Sequence, residues 1–156
     1  MNTQTKHTFL DHPFLSSCHT VVFDSPKLET YKDLSPSLPG TVRRTLSPHC
    51  NGVKQIANVL AICPHIQTVH IYAPGEPGKL ILGCVQLTVD SIDHYAWDIQ
   101  AWFGFIPPFI QPSLILDGCN VGDGKEGTAL IHQLRQLTGS HITCRQSDAQ
   151  RHLHVV

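Results

Sequence analysis

Short apolar runs alternate along this chain with stretches of helical periodicity. Five runs have the length and composition of buried β-strands. They are HTVVFD (19–24), TVRRTL (41–46), IQTVHIY (66–72), SLILD (113–117) and HITC (141–144). Helices are predicted over KLETYKDL (27–34), VKQIANVLAI (53–62), VDSIDHYAWDIQAWF (89–103) and GKEGTALIHQLRQLTG (124–139), and a hairpin of two short strands over KLILGCVQLT (79–88).

Two of the predicted helices carry an apolar face, because apolar residues recur at i, i+3 and i+4. The first face consists of Val53, Ile56, Ala57, Leu60 and Ala61, and the second of Ile92, Tyr95, Ala96, Ile99, Trp102 and Phe103. Asp90 is the predicted N-cap of the second of these helices, and Gly139 is the predicted end of the last helix. Both faces are expected to pack in the core.

Repeated strand-helix alternation with right-handed crossovers predicts an α/β fold. We expect a three-layer αβα sandwich with a mostly parallel central sheet, wound as in flavodoxin, and a small β-hairpin insertion. Residues 18–146 form the single predicted domain, residues 1–17 an N-terminal arm and residues 147–156 a C-terminal tail.

The composition excludes several classes of partner. The chain has 156 residues, 41% of them hydrophobic and 15% charged, and a formal net charge of -1. It has no basic excess for nucleic acid or anionic lipid. No apolar run approaches the roughly 20 residues of a membrane span, and the N-terminus lacks the apolar core of a signal peptide. We therefore expect a soluble, cytoplasmic protein that binds neither nucleic acid nor membrane.

The six cysteines are scattered without a CxxC motif. In a chain without a secretory signal they are expected to be reduced thiols rather than a disulfide framework. Eleven histidines are many for this length, but no pair of His and Cys residues has the spaced partner that a zinc site needs. We predict no metal and no cofactor.

The segment GCNVGDG, from Gly118 to Gly124, carries the most chemistry. It brings Cys119 to the carboxyl end of a predicted strand, where ligands and catalytic groups gather in open α/β folds. The dipole of the following helix would lower the pKa of the thiol. Backbone N–H groups of the glycine-rich turn could stabilise a developing negative charge.

The order of these segments resembles a known group of proteins. The chain is similar to the caspase-like cysteine peptidases of clan CD, in which a His-Gly follows one central strand and a Cys follows the next. More narrowly, it resembles the bacterial and cyanobacterial domain of unknown function 4347 family. The resemblance rests on VVFDS, LSPHCNGVKQIANVL, VHIYAPGEPGKLILG, IDHYAWDIQAWF and LILDGCNVGDGKEGTALIHQLRQLTG, in this order, and implies a caspase-like winding from about Val21 to Thr143.

The resemblance assigns only half of a catalytic dyad to this chain. The Gly-Cys of the family corresponds to Gly118 and Cys119. The Ser-His-Gly-x-x-Gly motif of the family corresponds to Ala73, Pro74, Gly75 and Gly78, so a proline stands where the catalytic histidine belongs. Proline has no proton to give or take. We therefore expect a catalytically silent domain, a pseudoenzyme that serves as a protein-interaction or scaffold module.

A cysteine hydrolase with another base is the alternative, with His49 or His141 brought near Cys119 by the fold. His70 lies roughly 13 Å back along the strand from position 74, at about 3.3 Å per residue, and is interpreted as a core histidine. Asp117 is expected to have a structural role, as a helix cap or as an acceptor from the backbone.

Two further segments offer binding functions. CNVGDGKE, from Cys119 to Glu126, nearly matches the phosphate-binding GxxxxGK[ST] pattern and leaves anion or nucleotide binding at Gly118–Lys125 as a lesser alternative. Cys119 replaces the first glycine of that pattern, and Glu126 replaces the hydroxyl that would hold magnesium. The proline-rich, apolar loop Phe103–Gln111 is the best candidate contact with a protein partner or a second copy of the chain, with burial against the domain as the equal alternative.

Overall fold

The computed structural model describes residues 17–26, 39–117 and 120–145. Several predictions fall outside these ranges. They are the arm except for Ser17, the helix over 27–34, Gly118 and Cys119, and the tail.

Five parallel strands form the central sheet of the described residues. They are β1 (Thr20–Asp24), β2 (Thr41–Thr45), β3 (Thr68–Tyr72), β7 (Ser113–Asp117) and β8 (His141–Arg145). Their order is β2-β1-β3-β7-β8. Relative to their sequence order this is the doubly wound arrangement of flavodoxin-like folds. The predicted α/β class with a mostly parallel sheet is confirmed.

Alternate residues of the central strands supply the core. The side chains on one face are almost completely buried: Val21, Phe23, Val42, Val69, Ile71, Leu114, Leu116 and Ile142. On the other face of β3 and β7, Thr68, His70, Tyr72, Ser113 and Ile115 are only partly buried. This period of two is typical of strands that have one face in a core.

Three described α-helices pack side by side against the apolar face: α1 (Gly52–Leu60), α2 (Ala96–Ala101) and α3 (Gly124–Thr138). Asn51 caps α1 by accepting a hydrogen bond from the Lys54 N–H at 3.1 Å. The Trp102 indole, 1% exposed, donates to the Val53 carbonyl at 3.0 Å and ties α2 to α1. Gly139 ends α3 in the left-handed conformation at φ 66°, as predicted.

The predicted two-stranded hairpin is a three-stranded antiparallel sheet. It consists of β4 (Gly75–Glu76), β5 (Lys79–Leu82) and β6 (Val85–Leu87). The additional strand arises because Pro77 and Gly78 form a tight turn, with Gly78 at φ 77°. A proline followed by a glycine with positive φ is the signature of a type II turn. The central sheet, the helices and this small sheet are together consistent with a three-layer sandwich that carries a small β insertion.

The predicted helix over 89–103 is shorter and in two parts. A 3-10 turn runs over Ile92–Tyr95 before α2 begins. Ser91, not Asp90, occupies the N-cap position of this 3-10 turn. The Ser91 hydroxyl accepts a hydrogen bond from the Thr88 N–H at 2.9 Å and donates to the Gln86 carbonyl at 2.8 Å. The predicted apolar stripe remains in the core, since Ile92, Ile99 and Trp102 are at most 1% exposed.

We expect Leu114→Ala to lower the free energy of unfolding by about 2–5 kcal/mol, because it leaves a cavity in the middle of the core. Leu114 is completely buried on β7. Urea denaturation followed by circular dichroism measures the loss. Ile62→Ala is the control, because Ile62 is 39% exposed and its loss should stay below about 1 kcal/mol. Equal losses would contradict the assigned core.

Candidate functional site

A row of polar side chains lies at the carboxyl ends of the central strands. The parallel register pairs Asp24 on β1 with Tyr72 on β3, Tyr72 with Asp117 on β7, and Asp117 with Arg145 on β8. Adjacent strands lie about 4.8 Å apart, so the four residues form one continuous row. The strand order reverses between β1 and β3, where ligands bind in doubly wound folds. This row is the candidate site.

Pro74 stands just beyond the row, where the chain leaves β3. Ala73 is buried and Pro74 is partly buried. The Pro74 carbonyl accepts a hydrogen bond from the Ile81 N–H at 3.0 Å, which ties this position to β5. Gly75 follows at once as the first residue of β4. The proline ring has no titratable group, so this side chain cannot serve as a general base.

The other half of the predicted dyad, Gly118 and Cys119, lies outside the described residues. Its place in the sequence is nevertheless informative. Pro74 comes two positions after Tyr72, and Cys119 comes two positions after Asp117, the residue that pairs with Tyr72. The β3–β7 register therefore gives the two halves of the dyad matching positions in the sequence.

Asp117 is the centre of a hydrogen-bonded network. The Arg145 Nε donates to Asp117 Oδ1 at 2.8 Å, and the Arg145 Nη2 donates to Oδ2 at 3.0 Å. His70 Nδ1 lies 3.3 Å from the same Oδ2. The His70 ring stacks on Tyr72, with ring centroids 6.3 Å apart. Because the Asp117 side chain is only 9% exposed, protein groups replace most of the water around this carboxylate.

The network keeps Asp117 ionised. Burial raises the pKa of Asp117, but hydrogen bonds from His70 and Arg145 and the Arg145 charge outweigh burial, so the pKa lies below its ordinary value. The hydrogen bond to Asp117 likewise raises the pKa of Arg145. The sequence suggested that Asp117 caps a helix or accepts from the backbone. In the structure its carboxylate instead contacts the side chains of His70 and Arg145, and Asp123 occupies the N-cap position of α3.

The three histidines considered as bases lie in different places. His141 begins β8 at the amino edge of the sheet, roughly 13 Å from Arg145 at about 3.3 Å per residue. His49 is exposed in the turn between β2 and α1. His70 lies on β3 and is half-buried. Of the three histidines, it is the one that contacts the polar row, through Asp117.

A second ion pair lies at the same edge, and sequence reasoning missed it. The Arg43 Nε donates to Asp24 Oδ2 at 2.6 Å, and Asp24 is only 1% exposed. The other oxygen, Asp24 Oδ1, is buried and has no hydrogen-bond partner among the described residues. The apolar run that precedes Asp24 predicts a buried strand. The only signal for the ion pair was the acid that ends this run and the arginine in the next strand.

The small antiparallel sheet contacts the loop that precedes α3. The Gly78 N–H donates to the Val121 carbonyl at 2.9 Å. A Cβ added to Gly78 would lie 2.5 Å from the Glu126 Cβ, so the turn packs directly on the first turn of α3. The Gly78 turn and the acidic Glu126 thus lie side by side at the start of α3, where the near match to a phosphate-binding loop ends.

A groove of about 810 Å³ lies at the opposite, amino edge of the sheet. The described residues that line it come from two loops and the starts of β3 and β7: Pro64, His65, Ile66, Gln67, Thr68, Phe105, Ile106, Pro107, Ile110, Gln111 and Ser113. The predicted contact loop Phe103–Gln111 therefore forms one wall. Phe103 is buried, whereas Phe105 and Phe109 are 64% and 86% exposed. Burial against the domain therefore holds for Phe103, whereas Phe105 and Phe109 have the exposure that a contact with a partner would need.

Two kinds of feature are relevant in the described ranges, clusters of metal-ligating side chains and membrane-spanning helices. In those ranges, no three His, Cys, Asp or Glu side chains come together as ligands for a metal ion. The helices of the same ranges are too short or too polar to cross a membrane.

Comparison with known proteins gives one match. The model of a family described as a domain of unknown function (DUF4347) matches residues 21–150, which is most of the chain. No curated protein and no solved structure matches the chain.

Arg145→Gln is expected to lower the free energy of unfolding at pH 7 by about 1–2 kcal/mol, because a buried carboxylate loses a charged donor. Asp117 has a depressed pKa in the folded chain. The stability it contributes is therefore present above the unfolded pKa of about 3.9 and is lost as the pH falls below that value. Urea denaturation at pH 7 and at pH 3 should show the difference from wild type shrinking at pH 3.

Arg44→Gln is the matched control for this substitution. Arg44 lies on β2, is exposed, and donates to the carbonyl of its neighbour Arg43 at 3.0 Å. Its replacement should change stability by less than about 0.5 kcal/mol at either pH. A loss for Arg145→Gln that is the same at pH 3 and pH 7 would show that the Asp117 carboxylate is not the partner that matters.

Proposed function

This chain belongs to the DUF4347 family of domains of unknown function, and we propose that it is a catalytically silent domain of caspase-like fold that acts by binding protein. The observation that carries the proposal is Pro74, which stands beside the polar row where the resemblance expects a catalytic histidine. A thiol nucleophile needs a neighbouring base or cation to keep it ionised. Proline supplies neither.

The groups at the polar row fit a structural role. Asp117 is engaged by Arg145 and His70, and Asp24 is engaged by Arg43. The two carboxylates and the two guanidinium groups pair with each other, which leaves the row close to neutral.

A cysteine hydrolase that uses Cys119 with a base from outside the family pattern is the second candidate. The observation in its favour is the half-buried His70, which contacts Asp117 at 3.3 Å, two positions before Cys119. A carboxylate that orients a histidine is part of many nucleophilic sites. Arg145 argues against this role, because it neutralises the same carboxylate that would have to stabilise a protonated His70.

The binding surface in this proposal is the groove at the amino edge, and its occupant is a second copy of the chain. One loop supplies both the wall of the groove and an adjacent protruding side chain, Phe109. A surface that carries a knob next to a hole is self-complementary, as a two-fold interface requires. Exposed aromatic side chains of this kind supply much of the binding energy of protein interfaces.

The charge of the groove also fits self-association. None of its described lining residues is Asp, Glu, Lys or Arg, and the chain as a whole has a formal charge of only -1. Two copies can therefore meet at this face without burying like charges, which is a cost that would oppose a symmetric interface.

In a silent domain, Cys119 is expected to react like an ordinary thiol or not at all. The rate of modification by iodoacetamide between about pH 5 and pH 9, read for each cysteine by mass spectrometry, measures this. The rate should rise only near the ordinary thiol pKa of about 8.5. A fast reaction at Cys119 alone below about pH 7 would contradict the silent assignment and support the hydrolase.

A pair of substitutions tests whether Pro74 is the position that matters. Pro74→His restores the residue that the family pattern expects and should speed Cys119 alkylation at pH 7 by roughly tenfold or more, because a nearby histidine lowers the pKa of a thiol. Pro77→His, in the exposed turn three residues on, is the control and should leave the rate unchanged. Equal rates in the two variants would argue against a base position at residue 74.

Phe109→Ser should weaken self-association by roughly tenfold or more, because it removes the protruding aromatic anchor. Sedimentation equilibrium over a range of protein concentrations measures the dissociation constant. Trp97→Ser is the control, since Trp97 is 88% exposed on α2 and does not line the groove. A wild-type chain that stays monomeric, or equal effects of the two variants, would refute the groove as a contact between copies.

A further inference from the structure

Two exposed cysteines from separate loops face each other at the tip of the small antiparallel sheet. Cys50 lies in the turn before α1, and Cys84 lies in the loop between β5 and β6. Both are exposed free thiols. The Cys84 N–H donates a hydrogen bond to the Cys50 carbonyl at 2.9 Å. The fold thus joins two segments that are distant in the sequence.

The backbone places the two cysteines in register. Asn51 and Gly83 form an isolated antiparallel β-bridge. In an antiparallel pair, the residue before one partner faces the residue after the other, so Cys50 faces Cys84. Opposite residues at a backbone hydrogen bond have Cα atoms about 5.5 Å apart and side chains on the same face of the pair. Since a disulfide needs Cα atoms roughly 4.4–6.8 Å apart, the two thiols can be joined by rotation of their side chains alone.

Close packing fixes this contact from both sides. Gly83 and Cys84 are the two residues between β5 and β6. Gly83 has φ 62°, as a type II′ hairpin turn requires at its first central residue. A Cβ added to Gly83 would overlap the Cys50 carbonyl, and a Cβ added to Gly52 would overlap the end of β5. Glycine at both positions therefore lets the turn before α1 approach the tip of the hairpin.

We propose that Cys50 and Cys84 are a redox pair, which a small-molecule disulfide such as oxidised glutathione converts to an intramolecular disulfide. The thiolate of one cysteine attacks a sulfur of the small disulfide, the S–S bond of that molecule breaks, and one small thiol leaves. The thiolate of the other cysteine then attacks the protein sulfur of the mixed disulfide, and the second small thiol leaves. The two cysteines are oxidised, the small disulfide is reduced, and the two cysteine protons end on the two leaving thiols.

Exposure separates this pair from the other described cysteines. Cys18 and Cys63 are at most 1% exposed, so a molecule as large as glutathione does not reach them in the folded chain. Cys144 is the other exposed free cysteine of the described residues. It lies on β8 of the central sheet, where its partner in the register is Leu116 rather than a thiol. Cys144 is therefore the matched comparison for an exposed cysteine that has no cysteine opposite it on β7.

The disulfide would tie the start of α1 to the small sheet. That sheet contacts both halves of the candidate site, because the Ile81 N–H donates to the Pro74 carbonyl and the Gly78 N–H donates to the Val121 carbonyl. A bond at its tip also closes a long loop of the chain. The oxidised chain should therefore melt roughly 5–10 °C higher than the reduced chain.

The test incubates the reduced full chain with oxidised glutathione under native conditions at about pH 8, where thiolates are available for exchange. The remaining thiols are blocked with iodoacetamide in denaturant, and the monomer band of a non-reducing gel is digested with trypsin and Asp-N without reduction. Cleavage leaves Cys50 in peptide 45–54 and Cys84 in peptide 80–89, each without another cysteine. The expected product is a cross-link between these two peptides that dithiothreitol reverses.

Substitutions separate the two steps of the exchange. Cys50→Ser and Cys84→Ser should each abolish the cross-link. The cysteine that remains should keep a glutathione adduct, because the opposite thiol that would displace the glutathione is gone. Cys144→Ser is the control and should leave the yield of the cross-link unchanged.

Four results would overturn the proposal. They are glutathione adducts on both Cys50 and Cys84 of one chain without a cross-link, no modification of either cysteine, a higher yield of a cross-link from either one to another cysteine, and a cross-link confined to the dimer band. A chain that melts at a lower temperature after oxidation would likewise show that the backbone does not suit the bond. The wild-type chain alone gives each of these readouts, so the proposal does not depend on the folding of a variant.

Discussion

The parallel register between β3 and β7 is the constraint on which the rest of this structure depends. It pairs Tyr72 with Asp117 at the carboxyl edge and Thr68 with Ser113 at the amino edge. At the carboxyl edge, it brings His70 and Asp117 into contact and sets the positions from which the chain continues to Pro74 and Cys119. At the amino edge, Thr68 and Ser113 form part of the groove. A slip of one residue would exchange the two faces of either strand and remove both features.

Burying carboxylates at the edge of the central sheet requires local compensation. The desolvation of one carboxylate costs several kcal/mol, and only good geometry with an oppositely charged partner offsets it. Asp117 has this geometry, because Arg145 engages both of its oxygens. Asp24 has it only in part, since its Oδ1 has no partner within the part of the chain that the structure describes. Among those residues, the Asp117 network is therefore the better satisfied of the two.

Local periodicity was sufficient to predict the five central strands within two residues, because each is a short run with apolar residues on one face. Gly139 likewise predicts the end of α3, because glycine adopts the left-handed conformation of a helix C-terminus without strain. The contact between Asp117 and Arg145 was beyond prediction, since these residues are 28 positions apart and meet only because β7 and β8 are neighbours. Strand order is a property of the whole chain. Pairs that depend on it, such as Asp24 with Arg43, leave little local signal.

Well-paired polar residues around a candidate site do not by themselves indicate that it is active. Asp117 is buried, two residues before Cys119 in the sequence, and with Arg145 absent its carboxylate would lose its charged partner whatever the chemistry of the thiol. Selection for stability alone would thus keep Asp117 and Arg145 together. The residue at position 74 carries no such charge, and its hydrogen bond to β5 is made by the backbone carbonyl, which any residue can provide. Pro74 is therefore more informative about activity than the intact network beside it.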